Sequence, residues 1–340
     1  MGDPSLEGVA VKRAIVLLIN TWICGGVIVQ GESAIRSPQS AIEGRTVIVV
    51  VGAAGTPEYA TQFAKWAGLW EQACAKSNAQ FVAVGLNESK DLSDRASLQE
   101  ILARQSGRTS AELWLVLIGH GTFDGRMAKF NLRGPDISTG DLVEWLKPLR
   151  GPVAVVNTAS SSAPFLKELS SPGRIVMAAT KSGFEQNFTR FGQYLAEAIV
   201  DPRADLDKDG QTSLLEAFLS ASHSVSEFYS AAGRLATEHA LLDDNGDGLG
   251  TPAEWFRGIR PVQKARDDAS LDGYRAHQLH LLHSEGETAM PPELRAKRDQ
   301  LELQVMRLRD TRATLSDEAY FAKLETLLRE IARIYEQTDK

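Results

Sequence analysis

Oxygen-bearing side chains recur at one spacing in two stretches of this 340-residue chain, Asp205–Glu216 and Asp243–Glu254. The first carries Asp205, Asp207 and Asp209 at positions 1, 3 and 5, Gly210 at 6, Gln211 at 7, Ser213 at 9 and Glu216 at 12. The second carries Asp243, Asn245, Asp247, Gly248, Leu249, Thr251 and Glu254 at the same places. Calcium is a hard cation that takes six to eight oxygens. This spacing wraps a loop so that three side chains, the backbone carbonyl at position 7, the residue at position 9 and a bidentate carboxylate at position 12 converge on one point. Glycine at position 6 supplies the sharp turn that most side chains forbid. One acidic turn of this kind arises readily by chance, but two complete matches leave that alternative little room. Two calcium ions are expected, one in each loop.

The pattern is that of the EF-hand loop, with departures. Position 8, which normally pairs two such loops through an aliphatic residue, holds Thr212 in the first and Gly250 in the second. Pro252 stands where the second exiting helix should begin, a place where proline is tolerated. Four ligand carboxylates in the first loop against three in the second predict that the first binds more tightly. Between them, Leu214 to His239 reads as one long helix with apolar Leu215, Phe218, Leu219, Val225, Phe228 and Tyr229. Residues 201–258 are therefore expected to form a paired EF-hand region. The ion is either a permanently held structural calcium or a sensor's, and the first is favoured.

A second group of reactive residues lies upstream, in LIGHGTFDG and VVNTASSSAPF. These deliver His120 and Gly121, then Asn157, Thr158, Ala159 and Ser160, off the ends of apolar runs. The elements that must position them are short β-rich runs at Thr46–Val51, Gln80–Val84, Leu113–Ile118, Pro152–Val156 and Arg174–Ala178. Amphipathic helical patterns alternate with them at about 58–77, 97–105, 138–148, 162–169 and 189–200. Continuous apolar strands interleaved with helices predict an α/β fold with a mostly parallel sheet covered on both faces. Ligands in such sheets collect at the carboxyl ends of the strands, where both groups of residues fall.

A His-Gly pair after one strand and a small residue plus nucleophile after the next resemble the caspase/legumain superfamily of cysteine peptidases (clan CD), over roughly residues 44–200. The legumain and GPI-transamidase branch is the more similar. The resemblance implies a caspase-like three-layer sandwich, with His120 at the base position, Gly121 at the oxyanion-donor position and Ser160 where the nucleophilic cysteine would stand. The chain departs from the family there, because no cysteine is present at that strand end. Cys74 lies in the helix between the first and second strands. Glu185, in ATKSGFEQN, falls where relatives build a specificity pocket, and is read either as facing a basic side chain or as a solvated loop carboxylate. Asp124 is read either as orienting the imidazole or as a turn residue before Gly125. Two functions follow. One is a calcium-binding protein whose caspase-like domain no longer hydrolyses peptides and serves as a binding or scaffold module for a protein or peptide partner. The other is a peptidase or transpeptidase using Ser160 with His120, stabilised by calcium.

Composition bounds the rest. The net charge of −7 and the lack of a basic stripe speak against a nucleic-acid partner. Lys12 and Arg13 precede an apolar run, Ala14–Val29, ending in small residues. Residues 1–31 are thus expected to be a secretory signal peptide, or a membrane anchor through 14–29 if uncleaved. Either predicts an exported protein, periplasmic, cell-surface or secreted. Residues 259–290 are polar and read as a linker. Residues 291–338 are charged and helical, with Leu294, Leu301, Leu308 and Leu315 spaced by seven and a second helix after Ser316. A helical hairpin or short coiled coil is expected there, with self-association as one role.

Overall fold

Five of the six residues of the strand TVIVVV are β-branched aliphatics, and all six are buried. A strand of that kind needs cover on both faces, and the fold supplies it. The computed structural model describes residues 44–87, 92–109, 111–267 and 269–338; the expected signal or anchor segment lies outside them. The chain begins β1 (Thr46–Val51), α1 (Pro57–Ser77), β2 (Gln80–Val84), α2 (Asp94–Gln105) and β3 (Leu113–Ile118). A small antiparallel excursion follows, β4 (Gly121–Phe123), β5 (Ala128–Phe130) and β6 (Ile137–Ser138), then α3 (Thr139–Leu146), β7 (Val153–Asn157), α4 (Ala163–Leu169), β8 (Arg174–Ala178) and α5 (Phe191–Ala198). Beyond it come α6 (Leu214–Ala231), β9 (Leu241–Asp243), β10 (Thr251–Pro252), β11 (Phe256–Arg257), β12 (Arg260–Pro261), α7 (Tyr274–Gln278), α8 (Glu285–Ala289), α9 (Pro292–Asp310) and α10 (Asp317–Thr338).

The main sheet has the order β10-β9-β8-β7-β3-β1-β2. The five strands from β2 to β8 are parallel, and β9 and β10 add an antiparallel edge. Alternation along each central strand feeds two cores. Val47, Val49, Trp114, Val116, Val156 and Met177 face the core under α1, α5 and α6. Ile48, Val50, Leu115, Leu117, Val155 and Val176 face the core under α2, α3 and α4. The result is an α/β three-layer sandwich with a mostly parallel sheet, as expected. Local signals set the helix ends: Thr56 caps α1, Pro57 follows it, and Asn78 closes it in the left-handed conformation at φ 55°.

Three expectations are corrected. The helix after the first loop stops at Ala231, not His239, because Gly233 turns left-handed at φ 61° and the chain folds back. Glu238 then caps a different helix, accepting from the Arg190 and Phe191 amides at the start of α5. The second loop is not flanked by helices. It begins at the end of β9, which pairs with β8 in the main sheet, and leaves through β10 and a single 3-10 turn, Ala253–Trp255. The two loops thus do not form a helix-loop-helix pair. The segment 259–290 is no linker, since it contributes α7 and α8 and buries Ala276 and Leu281 in the same core as the sheet. Its few apolar residues lack a period, so their burial is a tertiary fact. The C-terminal hairpin is present as α9 and α10, packed through Leu301, Ile334, Leu327 and Ile331. Leu315 falls between the two helices, so the seven-residue repeat does not continue through it.

Candidate functional site

The first loop is a folded ladder of hydrogen bonds. The carboxylate at position 1, Asp205, accepts from the amides at positions 4 and 6, Lys208 (2.7 Å) and Gly210 (3.1 Å). Asp207 accepts from the amide of Asp209, and Asp209 from that of Gln211. One carboxylate oxygen from each of Asp205, Asp207 and Asp209 lies within 4.8 Å of the others. Lys208 and Gly210 take left-handed φ values of 65° and 90° to make the wrap. Glu216 folds back from α6: its Oε1 accepts from the Leu206 (2.7 Å) and Asp207 (3.2 Å) amides, and its Oε2 from the amide and hydroxyl of Ser213, both 2.8 Å. Burial, then repulsion from Glu216 and Asp209, pushes the Asp207 carboxyl above its ordinary range. Converging carboxylates held this way are the surroundings a divalent cation stabilises, and the donor set, all oxygen, is that of calcium.

The second loop repeats the ladder. Asp243 accepts from the amides of Gly246 (2.9 Å) and Gly248 (2.7 Å), Asn245 from Asp247 and Asp247 from Leu249, each 2.8 Å. Asp247 Oδ2 is buried with no hydrogen-bond partner, an acceptor that a bound cation would satisfy. The loop departs from the first at position 12. Glu254 sits exposed on the 3-10 turn, and its carboxylate accepts no hydrogen bond among the described residues. At position 9 the Thr251 hydroxyl donates to Asp272 Oδ2 (2.6 Å). Asp272 is a buried residue that the loop pattern gave no reason to notice.

At the strand ends, β3 delivers His120 and β7 delivers Ser160 to one edge of the sheet, as expected. Their side chains engage different partners. His120 Nε2 lies 3.3 Å from the Ala54 carbonyl oxygen, and its ring packs edge-on against Tyr59 and Phe63. Burial among these rings holds the imidazole below its ordinary pKa. The Ser160 hydroxyl donates to the Gly121 carbonyl (3.1 Å) and accepts from the Gly121 amide (3.2 Å). The amide expected as an oxyanion donor is therefore occupied. Glycine is needed at 121 for a packing reason, because a Cβ there would lie 2.2 Å from the Ser160 carbonyl oxygen. Ser161 follows at a left-handed φ of 54°, its amide donating to the Glu185 carbonyl.

The subsidiary residues resolve as structural. Asp124 accepts from the Arg126 and Met127 amides and closes its own turn. The Glu185 carboxylate is held by His239 Nδ1 at 2.5 Å and by the Lys181 amide. Cys74 is buried in α1, its thiol pushed up to about 12 by desolvation, which keeps it protonated and inert.

No protein-family model matches the chain, and no curated protein does. Among solved structures, the Drosophila initiator caspase Dronc is similar at 15% identity, TM-score 0.38, over 68% of this chain and 95% of that one. Caspase-1 from Spodoptera frugiperda is similar at 8% identity, TM-score 0.39, over 60% and 87%. A secreted C11 cysteine protease from Bacteroides thetaiotaomicron is similar at 10% identity, TM-score 0.39, over 61% and 67%. At these scores the likenesses carry no argument about this chain.

Proposed function

We propose that this chain is an exported, calcium-stabilised protein whose caspase/legumain-like domain does not hydrolyse peptides and instead binds a protein or peptide partner. The observation that carries this is the fate of the two strand-end side chains. The Ser160 hydroxyl is used in both directions by the backbone of Gly121, and His120 is bonded to Ala54, so neither activates the other. A serine whose hydroxyl is not hydrogen-bonded to a base is a poor nucleophile. The rim of the same edge offers a surface for a partner, since Phe184 is 71% exposed and stacks edge-on with Phe123 at 5.2 Å.

Calcium serves the fold in this proposal. Both loops carry the same ladder, and both are built into the sandwich rather than appended to it: α6 packs on α5, and β9 on β8. The alternative, a peptidase using Ser160 with His120, is tested directly. A diverse peptide library is incubated in calcium with the purified chain and with Ser160→Ala. No cleavage by either is expected. Cleavage that disappears in the variant would replace the proposal with the peptidase.

A further inference from the structure

Glu216 closes the first loop by touching it at three positions. One oxygen accepts from the amides at positions 2 and 3, Leu206 and Asp207, and the other accepts from position 9, through the amide and hydroxyl of Ser213. In the second loop a different residue touches the same three positions. Asp272 Oδ1 accepts from the amides of Asp244 (2.9 Å) and Asn245 (3.1 Å), positions 2 and 3. Its Oδ2 accepts from the hydroxyl of Thr251 at position 9. Both carboxylates are buried, Glu216 at 0% exposure and Asp272 at 2%. Glu254, the residue that sequence spacing nominates, is exposed and makes none of these contacts.

We infer that Asp272, and not Glu254, is the carboxylate that completes the second calcium site. This rests on calcium binding by the second loop as proposed above, and names a residue of that site which the loop's own twelve residues do not contain. Other contacts at the site fit. Among the described residues, Asp247 Oδ2 is a buried acceptor with no donor, which a cation in the loop would satisfy. The segment carrying Asp272 is tied to the loop independently: the Asp244 carboxylate accepts from the Gly273, Arg275 and Ala276 amides at the start of α7. The reason for the exchange lies in the exit from the loop. An EF-hand loop leaves into a helix whose first turn carries the position-12 glutamate back to the ion. Here β10 pairs with β9, and the 3-10 turn that follows points Glu254 outward. The closing carboxylate has to come from elsewhere, and the segment entering α7 brings it. The second ion would then join the antiparallel edge of the sheet to α7, holding together parts of the chain that are distant in sequence.

The test is calcium stoichiometry by isothermal titration on the whole chain, comparing the unaltered protein with Glu254→Gln and Asp272→Asn. Asparagine keeps the size and one acceptor oxygen, so the fold is spared. Two ions per chain are expected for the unaltered protein and for E254Q. In D272N the weaker site should lose more than about 100-fold in affinity, beyond the 10–100-fold usual for residues that only support a ligand. Loss of the site in E254Q, or its retention in D272N, would overturn the assignment. An unaltered protein that binds one ion, lost in Glu216→Gln, would overturn it along with calcium in the second loop. Binding of none would remove the calcium proposal as a whole. Should D272N fail to fold, hydrogen exchange on the unaltered protein decides. Calcium should protect the amides of 272–276 along with those of the loop, and protection confined to 243–255 would be the contrary result.

Discussion

Ser160 donates to one backbone atom of Gly121 and accepts from another, so its hydroxyl joins the start of β4 to the segment after β7. In Ser160→Ala both groups of Gly121 lose that partner inside the protein. An unpaired buried polar group costs about 1–3 kcal/mol, so the variant should melt several degrees lower while calcium binding stays intact. Equal melting temperatures would show that water replaces the hydroxyl freely. A second expectation at this scale concerns acid. Burial, followed by the nearby charges of Arg45 and Arg295, lowers the His283 pKa to about 3 from an unfolded value near 6.5. A histidine depressed in the folded state binds fewer protons there than when unfolded. Stability is thus full above about pH 6.5 and falls as pH drops from there toward 3. His283→Gln should flatten the loss of melting temperature between pH 6.5 and 4.5. An unchanged slope would place the acid sensitivity in other groups, His120 and His280 being the next candidates because burial lowers both.

Helix α6 is where the first loop meets the sandwich. Its N-terminus is built by Ser213 and Glu216 in a capping box, the same residues that close the first loop, and its body packs on α5. Calcium held by that loop should therefore stabilise the whole sandwich. At free calcium 100-fold above the dissociation constant the gain is about 2.7 kcal/mol. A single unfolding transition should move to lower temperature on chelation, with far- and near-ultraviolet circular dichroism moving together. A melt indifferent to chelator would count against calcium in the fold. Helix α10 carries the other expectation at this scale. Phe321 and Leu328 are about half exposed, with Leu324 between them on the same face. That stripe leaves apolar surface where a second copy of the hairpin would pack in the self-association we propose. Leu328→Glu should convert a self-associated species to monomer by light scattering, and a protein that is monomeric before the change would end that proposal.

For the molecule as a whole, the described residues from the first strand to α10 fold as one compact unit. Four regions that composition separates, the sandwich, the calcium loops, the polar stretch and the hairpin, share one body. β9 extends the sandwich's own sheet, and Leu279 and Leu281 from the polar stretch enter its core. Truncation at residue 200 should accordingly not yield a folded sandwich: it strips the β9 edge and exposes the faces of α5 and β8. Aggregation or loss of near-ultraviolet circular dichroism in residues 44–200 is expected, and a cooperative melt from that fragment would show that the rest is an appendage.

What the sequence determined by itself was local. Runs such as TVIVVV and LWLVLI can only be strands buried on both faces, so five parallel strands and the helices between them were legible, with bounds shifted by only a few residues. The wrap of both acidic loops was legible too, because positions 1 to 7 fold on their own Asx hydrogen bonds, and the ladder in both is internal to seven residues. The tertiary structure decided whatever depends on partners far along the chain. Spacing put a glutamate at position 12 of each loop, but only a following α-helix returns that glutamate to its loop, and the second loop ends in β10 and a single 3-10 turn. Spacing put His120 and Ser160 at one edge, but the ring of Tyr59 and the backbone of Gly121 determine what each side chain bonds. A periodic pattern records which face of an element is buried. It does not record which neighbour the burial brings, and here the neighbours set both the carboxylate that touches the second loop and the partner of the Ser160 hydroxyl.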